Sequence, residues 1–442
     1  MTSLLAESLA SKITSRDASV VVVGLGYIGL PLLVDLERAG FRARGFDVDH
    51  ARIASITSGK KIIEGVDAEK LSELVKHRKI KLDHDPRVLS GADIVVLCVP
   101  TPFVQSSGES GEPDMHFLWS AVTDVIAHAH SGMLVVLEST SYPGTTREIA
   151  ARFSEAGFSV GETMFVACSP ERIDPGNRDF RIANTTRVVG GITPACTKMV
   201  HVFYKQIVAQ VKVVTDADTA EVVKLLENTF RAVNVGLVNE LAVACKKMGV
   251  DIWEVVDAAS TKPFGFMKFS PGPGVGGPCV PVAPRAMAWK MGQFGDSPHF
   301  LGLATTANQK MPAHVARLVE DALADEKIAL EGAHILIAGV AYKPDVADLR
   351  GSPALELVDI FTSRKSRVSY IDSHVPSFRH ANRTFESINV STNLADFDAV
   401  VLVTAHTDLD VARLVREATL VIDTRNATCP FLGHAKARVV RL

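Results

Sequence analysis

The run Gly24-Leu25-Gly26-Tyr27-Ile28-Gly29 follows a string of valines, and Asp47 stands 18 residues after Gly29. Glycines at this spacing allow a tight turn that brings backbone amides against a pyrophosphate at a helix N-terminus. An acid at that distance accepts hydrogen bonds from a ribose 2′-hydroxyl and repels a 2′-phosphate, which favours NAD over NADP. Arg52 works slightly against that preference. The alternative, a turn whose glycines only allow helix–sheet packing, is the weaker reading in this context. A second candidate is Cys279, set in PGPGVGGPCVPVAP. This loop has the backbone freedom to bring a thiol beside a ligand, and Pro284 is placed to open the next helix. Spacing alone leaves Cys279 balanced between a nucleophile and a small buried hydrophobe. The cysteines at 98, 168, 196, 245 and 429 read as structural. None of the six forms a CxxC pair, and no Cys/His cluster has zinc spacing.

Glu221, Lys224 and Asn228 share a helical stretch, the last two four residues apart on one face. A Lys and an Asn projecting from an apolar stretch suit an oxyanion, but from residue types alone an exposed stripe with an ordinary Glu–Lys pair is the simpler reading. Four polar loops follow apolar runs: Pro100-Thr101-Pro102, Glu138-Ser139-Thr140, Ser169-Pro170-Glu171-Arg172 and Tyr342-Lys343-Pro344-Asp345. Open α/β sheets bind ligands at the carboxyl ends of their strands, which is where these loops fall.

The elements that must carry these residues follow from periodicity. Strands are expected at 19–23, 42–46, 94–99, 133–137 and 164–167, alternating with helices or loops, which predicts a doubly wound parallel sheet. From about 216 to 248 the sequence reads as one long helix without proline, ending at Gly249. Its apolar residues occupy more than one face, so burial on several sides or sharing with a second subunit is expected. A Gly/Pro-rich loop covers 270–284, and further helix runs to about 324. A second βα alternation occupies 334–341, 368–371, 399–403 and 420–422. The fold class is therefore α/β, with two Rossmann-like domains joined by a long central helix and a helical middle domain. Its boundaries fall at 1–212, 213–325 and 326–442.

The chain has 442 residues, with 47 Lys and Arg against 50 Asp and Glu, giving a formal net charge of −3. That balance argues against a general nucleic-acid binder, which needs a basic surplus. No apolar run approaches the ~20 residues needed to span a bilayer. The first residues read as a short amphipathic helix rather than a secretory signal, and with the scattered thiols this gives a cytoplasmic expectation.

The segments GLGYIGLPL, CVPTP, ESTSYPGTT, SPERIDPGN, AEVVKLLENTFRAVN, FGFMKFSPGPGVGGPC, GVAYKPDVADLRGSP and IDTRN occur in this order. Together they resemble the UDP-glucose/GDP-mannose dehydrogenase family over nearly the whole chain. Within it, TKPFGFMKFSPGPGVGG and SPERIDPGN most resemble the UDP-N-acetylglucosamine 6-dehydrogenase branch. The resemblance implies an NAD-dependent four-electron oxidation of a sugar C6 alcohol to a carboxylate, as in polysaccharide biosynthesis. It places Cys279 on the nucleophile that holds the aldehyde as a thiohemiacetal and then as a thioester. Lys224 and Asn228 match the pair supporting the oxyanion, and Glu171 and Thr140 match the groups handling base and water. Gly24, Gly26, Tyr27, Ile28, Gly29, Asp47, Arg52, Thr101 and Thr140 fall to the cofactor. Glu171, Arg172, Lys224, Asn228, Phe269, Gly276, Tyr342, Lys343, Arg350 and Arg425 fall to the UDP-sugar. No metal is implied, and the long helix would form the core of a homodimer.

Two positions depart from the family pattern. Pro278 precedes the cysteine where the hexosamine branch has His. Ala283 stands four residues after it, where the family has an Asp that organises the lysine and a water. Loss of such a group costs about 10²–10⁴ in rate. A variant that stops at the aldehyde or epimerises the sugar therefore stays open, as do a UDP-glucose 6-dehydrogenase and a nucleotide-sugar-binding pseudoenzyme. The retained Cys279, Lys224, Asn228 and Glu171 weigh against the last.

Overall fold

The computed structural model describes residues 4–58, 68–77, 79–103, 112–173, 179–180, 182–296 and 298–442. Residues 174–177 of SPERIDPGN and the first three of the expected N-terminal helix lie outside them. The chain divides into two compact units, residues 1–227 with 286–296, and residues 228–285 with 297–442.

Among the described residues the first unit is built on eight strands: β1 (Ser19–Val23), β2 (Arg42–Phe46), β3 (Lys81–Asp83), β4 (Ile94–Leu97), β5 (Met133–Leu137), β6 (Met164–Cys168), β7 (Arg187–Gly191) and β8 (Val211–Val213). Their order is β3-β2-β1-β4-β5-β6-β7-β8, parallel except where β6 meets β7. Every residue of β1, β4, β5 and β6 is buried, because helices cover both faces, and this is why these strands read as unbroken apolar runs. The chain order reverses between β1 and β4, which opens the ligand crevice at their carboxyl ends.

The second unit contains β9 (His334–Ala338), β10 (Arg367–Ile371), β11 (Ser377–His380), β12 (Arg383–Glu386), β13 (Ala399–Leu402), β14 (Leu420–Asp423) and β15 (Arg438–Arg441). Five of them form a parallel sheet in the order β10-β9-β13-β14-β15, and β11 and β12 form a separate antiparallel hairpin. The order reverses between β9 and β13. Both units use one device at this point. Asp47, following β2, accepts a hydrogen bond from Leu25 N at 2.8 Å, and Asp372, following β10, accepts one from Val340 N at 2.7 Å. In each, an acid after the second strand fixes the loop after the first.

The long helix runs Ala217–Met248 and stops at Gly249, whose φ of +70° a glycine takes without strain. It is apolar on more than one face, as its pattern requires. Val222, Leu226, Phe230, Leu237, Leu241 and Met248 are exposed along one stripe while Leu225, Ala232, Val238 and Ala242 are buried. Among the described residues no helix is long and apolar enough to cross a membrane.

Candidate active site

The glycine run leaves β1 at its carboxyl end. Gly24 has φ +91°, and a Cβ there would lie 2.6 Å from Cys98 O in the loop after β4. A Cβ on Gly29 would lie 1.9 Å from Gly24 O, so the helix Gly29–Arg38 can start this close to the turn only from glycine. Gly26 has open space above it. Tyr27 and Ile28 complete the turn, with Ile28 at the N-cap. Asp47 is buried, and besides Leu25 N it accepts from Asp49 N at 3.0 Å and Arg52 Nη1 at 2.8 Å. The uncluttered glycine bed and the acid at the crevice fit NAD. Thr101 Oγ1 donates to Thr140 O, and Ser139 Oγ donates to Val99 O at 2.8 Å, so the loops after β4 and β5 are tied together beside this bed.

Asp47 yields a direct expectation. Asp47→Ala should reduce discrimination against NADP, since the repelling carboxylate is gone while Arg52 remains. The ratio of kcat/KM for NAD to that for NADP should fall at least about tenfold. An unchanged ratio would show that another residue reads the ribose.

Glu171 follows β6 and is buried beside Arg187 of β7, whose Nη1 donates to Glu171 Oε2 at 2.9 Å. Burial acts to raise the Glu171 pKa. The charge and hydrogen bond of Arg187, the charge of Lys224 and the N–H of Ile173 more than offset it, holding the carboxyl below its ordinary value. Arg172 turns elsewhere, to Thr186 O at 2.6 Å and to Glu227 of the long helix at 2.6 Å.

The exposed-stripe reading of Glu221, Lys224 and Asn228 is corrected here. Glu221 and Lys224 are buried, and Asn228 is half-buried with an Nδ2 that finds no hydrogen-bond partner among the described residues. Glu221 accepts from Gly144 N at 2.6 Å, Thr146 N at 2.7 Å and Thr146 Oγ1 at 2.6 Å, capping the helix Thr145–Glu155 rather than pairing with Lys224. Helical spacing identified the face. Only the element packed on it could show that the face is covered.

In the second unit the loop bearing Cys279 is held by hydrogen bonds at two places, one of them through an asparagine that a second asparagine fixes in turn. Gly272 N donates to Asn239 Oδ1 at 2.9 Å, and Asn239 Nδ2 donates to Asn308 Oδ1 at 2.9 Å. Gly277 N donates to Arg350 O at 2.8 Å. A Cβ on Gly276 would lie 2.6 Å from Gly351 O and 2.8 Å from Tyr342 Cβ, and one on Gly272 would lie 2.6 Å from Arg425 Nη1. The loop is thus fitted against the segments carrying Tyr342, Arg350 and Arg425. Lys343 Nζ lies 5.9 Å from the Tyr342 ring centre, and Phe269 packs edge-to-face on Phe230 at 5.7 Å. Burial pulls Arg425 down to about 10, with Asp423 opposing, so it stays cationic at neutral pH. Cys279 is half-buried, and its carbonyl accepts from Val282 N at 3.2 Å and Ala283 N at 3.0 Å. The next helix therefore begins at Val282, two residues before Pro284, and Ala283 stands one turn after the thiol, fully buried.

Arg187 and Asn239 were not singled out from the sequence. Each acts through partners distant in the chain, and neither lies in a turn or spacing pattern. Among the described residues Asp345, His374 and His406 lie close enough to hold a metal ion. His406 Nδ1 accepts from Asp345 N at 2.9 Å and its Nε2 lies 3.0 Å from Asp372 Oδ2, so both ring nitrogens are engaged within the protein.

Three family models match the chain. They are the NAD binding domain of the UDP-glucose/GDP-mannose dehydrogenase family at residues 18–208, its central domain at 218–310 and its UDP binding domain at 336–430. The UDP-N-acetyl-D-mannosamine dehydrogenase of Pyrococcus horikoshii is 32% identical over 416 residues, covering 92% of this chain and 95% of the relative. The UDP-N-acetyl-D-glucosamine 6-dehydrogenase of Pseudomonas aeruginosa is 32% identical over 399 residues, covering 89% and 92%. The solved structure of the UDP-D-ManNAc dehydrogenase from Pyrococcus horikoshii superposes with a TM-score of 0.85 at 31% identity, covering 96% of this chain and 99% of that one.

Proposed function

The chain belongs to the UDP-glucose/GDP-mannose dehydrogenase family and is an NAD-dependent nucleotide-sugar dehydrogenase, and on that premise we propose that it oxidises C6 of a UDP-N-acetylhexosamine to the uronic acid through a thioester on Cys279. The observation carrying this reading is the Cys279 loop, pinned by Asn239 and Arg350 and fitted against the Tyr342 and Arg425 segments of the UDP-binding domain. N-acetylglucosamine is the preferred sugar, supported by the two runs that resemble that branch. A relative of equal identity is named for N-acetylmannosamine, which makes that sugar the first competitor.

Two NAD molecules, bound in turn, each supply the acceptor for one hydride. Cys279 Sγ bonds to the C6 aldehyde carbon, so the half-oxidised sugar stays attached as a hemithioacetal and then as a thioester. Water adds to that carbon, the C–S bond breaks, and the products are carboxylate and the restored thiol. Lys224 and Asn228 support negative charge on the C6 oxygen, and ionised Glu171 accepts the proton of the attacking water. Tyr342, Lys343, Arg350 and Arg425 serve the UDP portion.

Incubation with NAD and, in turn, UDP-linked N-acetylglucosamine, N-acetylmannosamine, N-acetylgalactosamine and glucose tests this, with products identified by mass. Two NADH per sugar mark full oxidation. One marks release of the aldehyde, and none marks net epimerisation or mere binding, either of which would overturn the proposal.

The exposed stripe of the long helix is assigned to a second copy of the chain, in keeping with the resemblance. Leu226 is 64% exposed and Leu237 57%, values that large apolar side chains on a helix rarely hold without a partner. Leu226→Glu with Leu237→Glu should convert a dimer to monomers in sedimentation velocity, and a monomeric native protein would end the assignment.

A further inference from the structure

Glu138, at the carboxyl end of β5, has no role in the reaction above, yet it is completely buried beside Arg187 and Glu171. Arg187 bridges the two carboxylates, Nη1 meeting Glu171 Oε2 at 2.9 Å and Nη2 meeting Glu138 Oε1. The three groups come from the loop after β5, the loop after β6 and the start of β7. They are also linked through the backbone, Glu171 N donating to Glu138 O at 3.4 Å. Tyr204, from the helix Pro194–Tyr204, donates its hydroxyl to Glu138 Oε1, and its ring lies 4.9 Å from the Arg187 guanidinium carbon.

The two carboxylates are not equivalent. Glu171 has a donor on each oxygen, Arg187 on Oε2 and Ile173 N on Oε1. Glu138 accepts from Tyr204 on Oε1, where Arg187 Nη2 makes an ion pair, while Oε2 is buried and finds no hydrogen-bond partner among the described residues. An ionised carboxylate is held by the donors it accepts from, so the proton resides first on Glu138. Burial, then the nearby Glu171, push Glu138 up to about 7 against the pull of Arg187 and Tyr204.

We propose that Glu138 is a positioning residue that sets the proton affinity of Glu171 by competing with it for the single guanidinium of Arg187. This rests on the reading of Glu171 as the base. While Glu138 is protonated, Arg187 serves Glu171 alone and Glu171 is a weak base. When Glu138 ionises, a second negative charge shares the same cation, and Glu171 holds a proton more readily.

The other groups facing this cluster are the thiols of Cys98 and Cys168, the Tyr204 phenol and Lys224. Burial, then neighbouring carboxylates, push both thiols and the phenol well above their ordinary values, so they stay neutral through the range in which Glu138 titrates. Glu221, raised to about 7 by burial, is the one further described carboxyl in reach of Cys168 that titrates there.

The readout is the decay rate of the Cys279 acyl adduct, followed by intact mass after quenching, with the UDP-sugar that the panel turns over. In the native protein this rate should rise about 3–10-fold between roughly pH 6 and 8. Glu138→Gln keeps the shape and removes the charge, so the rise should vanish and the low-pH rate persist, with KM for the sugar unchanged. Tyr204→Phe removes a donor to ionised Glu138 and should move the rise upward by about one pH unit. It serves as the test if Glu138→Gln does not fold. Glu221→Gln should keep the rise. A rise retained in Glu138→Gln, unmoved in Tyr204→Phe, or lost in Glu221→Gln overturns the proposal. Glu171→Gln separates the two readings. If its adduct decays normally, the base assignment itself falls. If its adduct persists while Glu138→Gln behaves as native, only the role of Glu138 falls.

Discussion

Cys279→Ser should abolish formation of the uronic acid, lowering the rate of carboxylate release by on the order of 10³-fold or more. The substitution exchanges sulfur for oxygen and leaves the backbone hydrogen bonds of the loop in place. Gly272 N on Asn239, Gly277 N on Arg350 and the helical turn from the Cys279 carbonyl to Ala283 N all remain. The variant should therefore fold and bind the UDP-sugar with near-native affinity, so the loss falls on kcat rather than KM. A serine hydroxyl at neutral pH is a far weaker nucleophile than a thiolate, and the oxygen ester that it would form is broken less readily than a thioester. Product analysis by mass and calorimetric titration with the UDP-sugar separate chemistry from binding. Undiminished uronic acid from this variant would rule out covalent catalysis at position 279.

Ala283→Asp should speed the steady state by about 10–10²-fold while leaving the first-hydride burst nearly unchanged. The helix begins at Val282 with Ala283 N donating to Cys279 O at 3.0 Å, so residue 283 stands one turn beyond the thiol. The native methyl is fully buried and offers no polar atom. A carboxylate there would orient or deprotonate a water near the acylated sulfur, which bears on hydrolysis more than on the first oxidation. In the native protein hydrolysis is then expected to be the slow step, with a burst of NADH before the steady state and a sugar adduct on Cys279. The new acid is buried, which carries a stability cost, so a lowered Tm is expected alongside the faster turnover. Stopped-flow NADH traces with quenched intact mass decide the matter. A native protein with neither burst nor adduct, or a variant with unchanged turnover, would show that the missing carboxylate is compensated elsewhere or that oxidation is not completed.

These two outcomes also divide the functional readings. A burst of one NADH without later turnover places the native chain among enzymes that stall or stop at the aldehyde level. A burst followed by slow release places it among complete dehydrogenases limited by water attack.

The dinucleotide turn was legible residue by residue. Gly24, Gly29 and Asp47 lie within a single strand–turn–helix–strand unit, and local backbone geometry sets their spacing. The long helix was legible for the same reason, since period and a terminal glycine are local properties; it runs Ala217–Met248 where about 216 to 248 was expected. The hairpin β11–β12 and the strands β8 and β15 were not, because short, partly exposed segments carry little periodicity.

Sequence by itself picked out residues whose types suit the chemistry: the glycine run, the thiol in its Gly/Pro-rich loop, the polar residues at strand ends, and Ala283, where the resemblance leads one to expect an acid. Tertiary structure alone decided which of them meet and which are dry. It brought Arg187 between Glu138 and Glu171, residues 49 and 16 positions away in the chain. It also turned Glu221 from an apparent surface partner of Lys224 into a buried cap on another helix. The physical reason is that a residue's type and period specify what it can donate, accept or bury. Its proton affinity depends on the charges and the solvent around it, and those are supplied by strands and helices that the chain reaches only after it has folded.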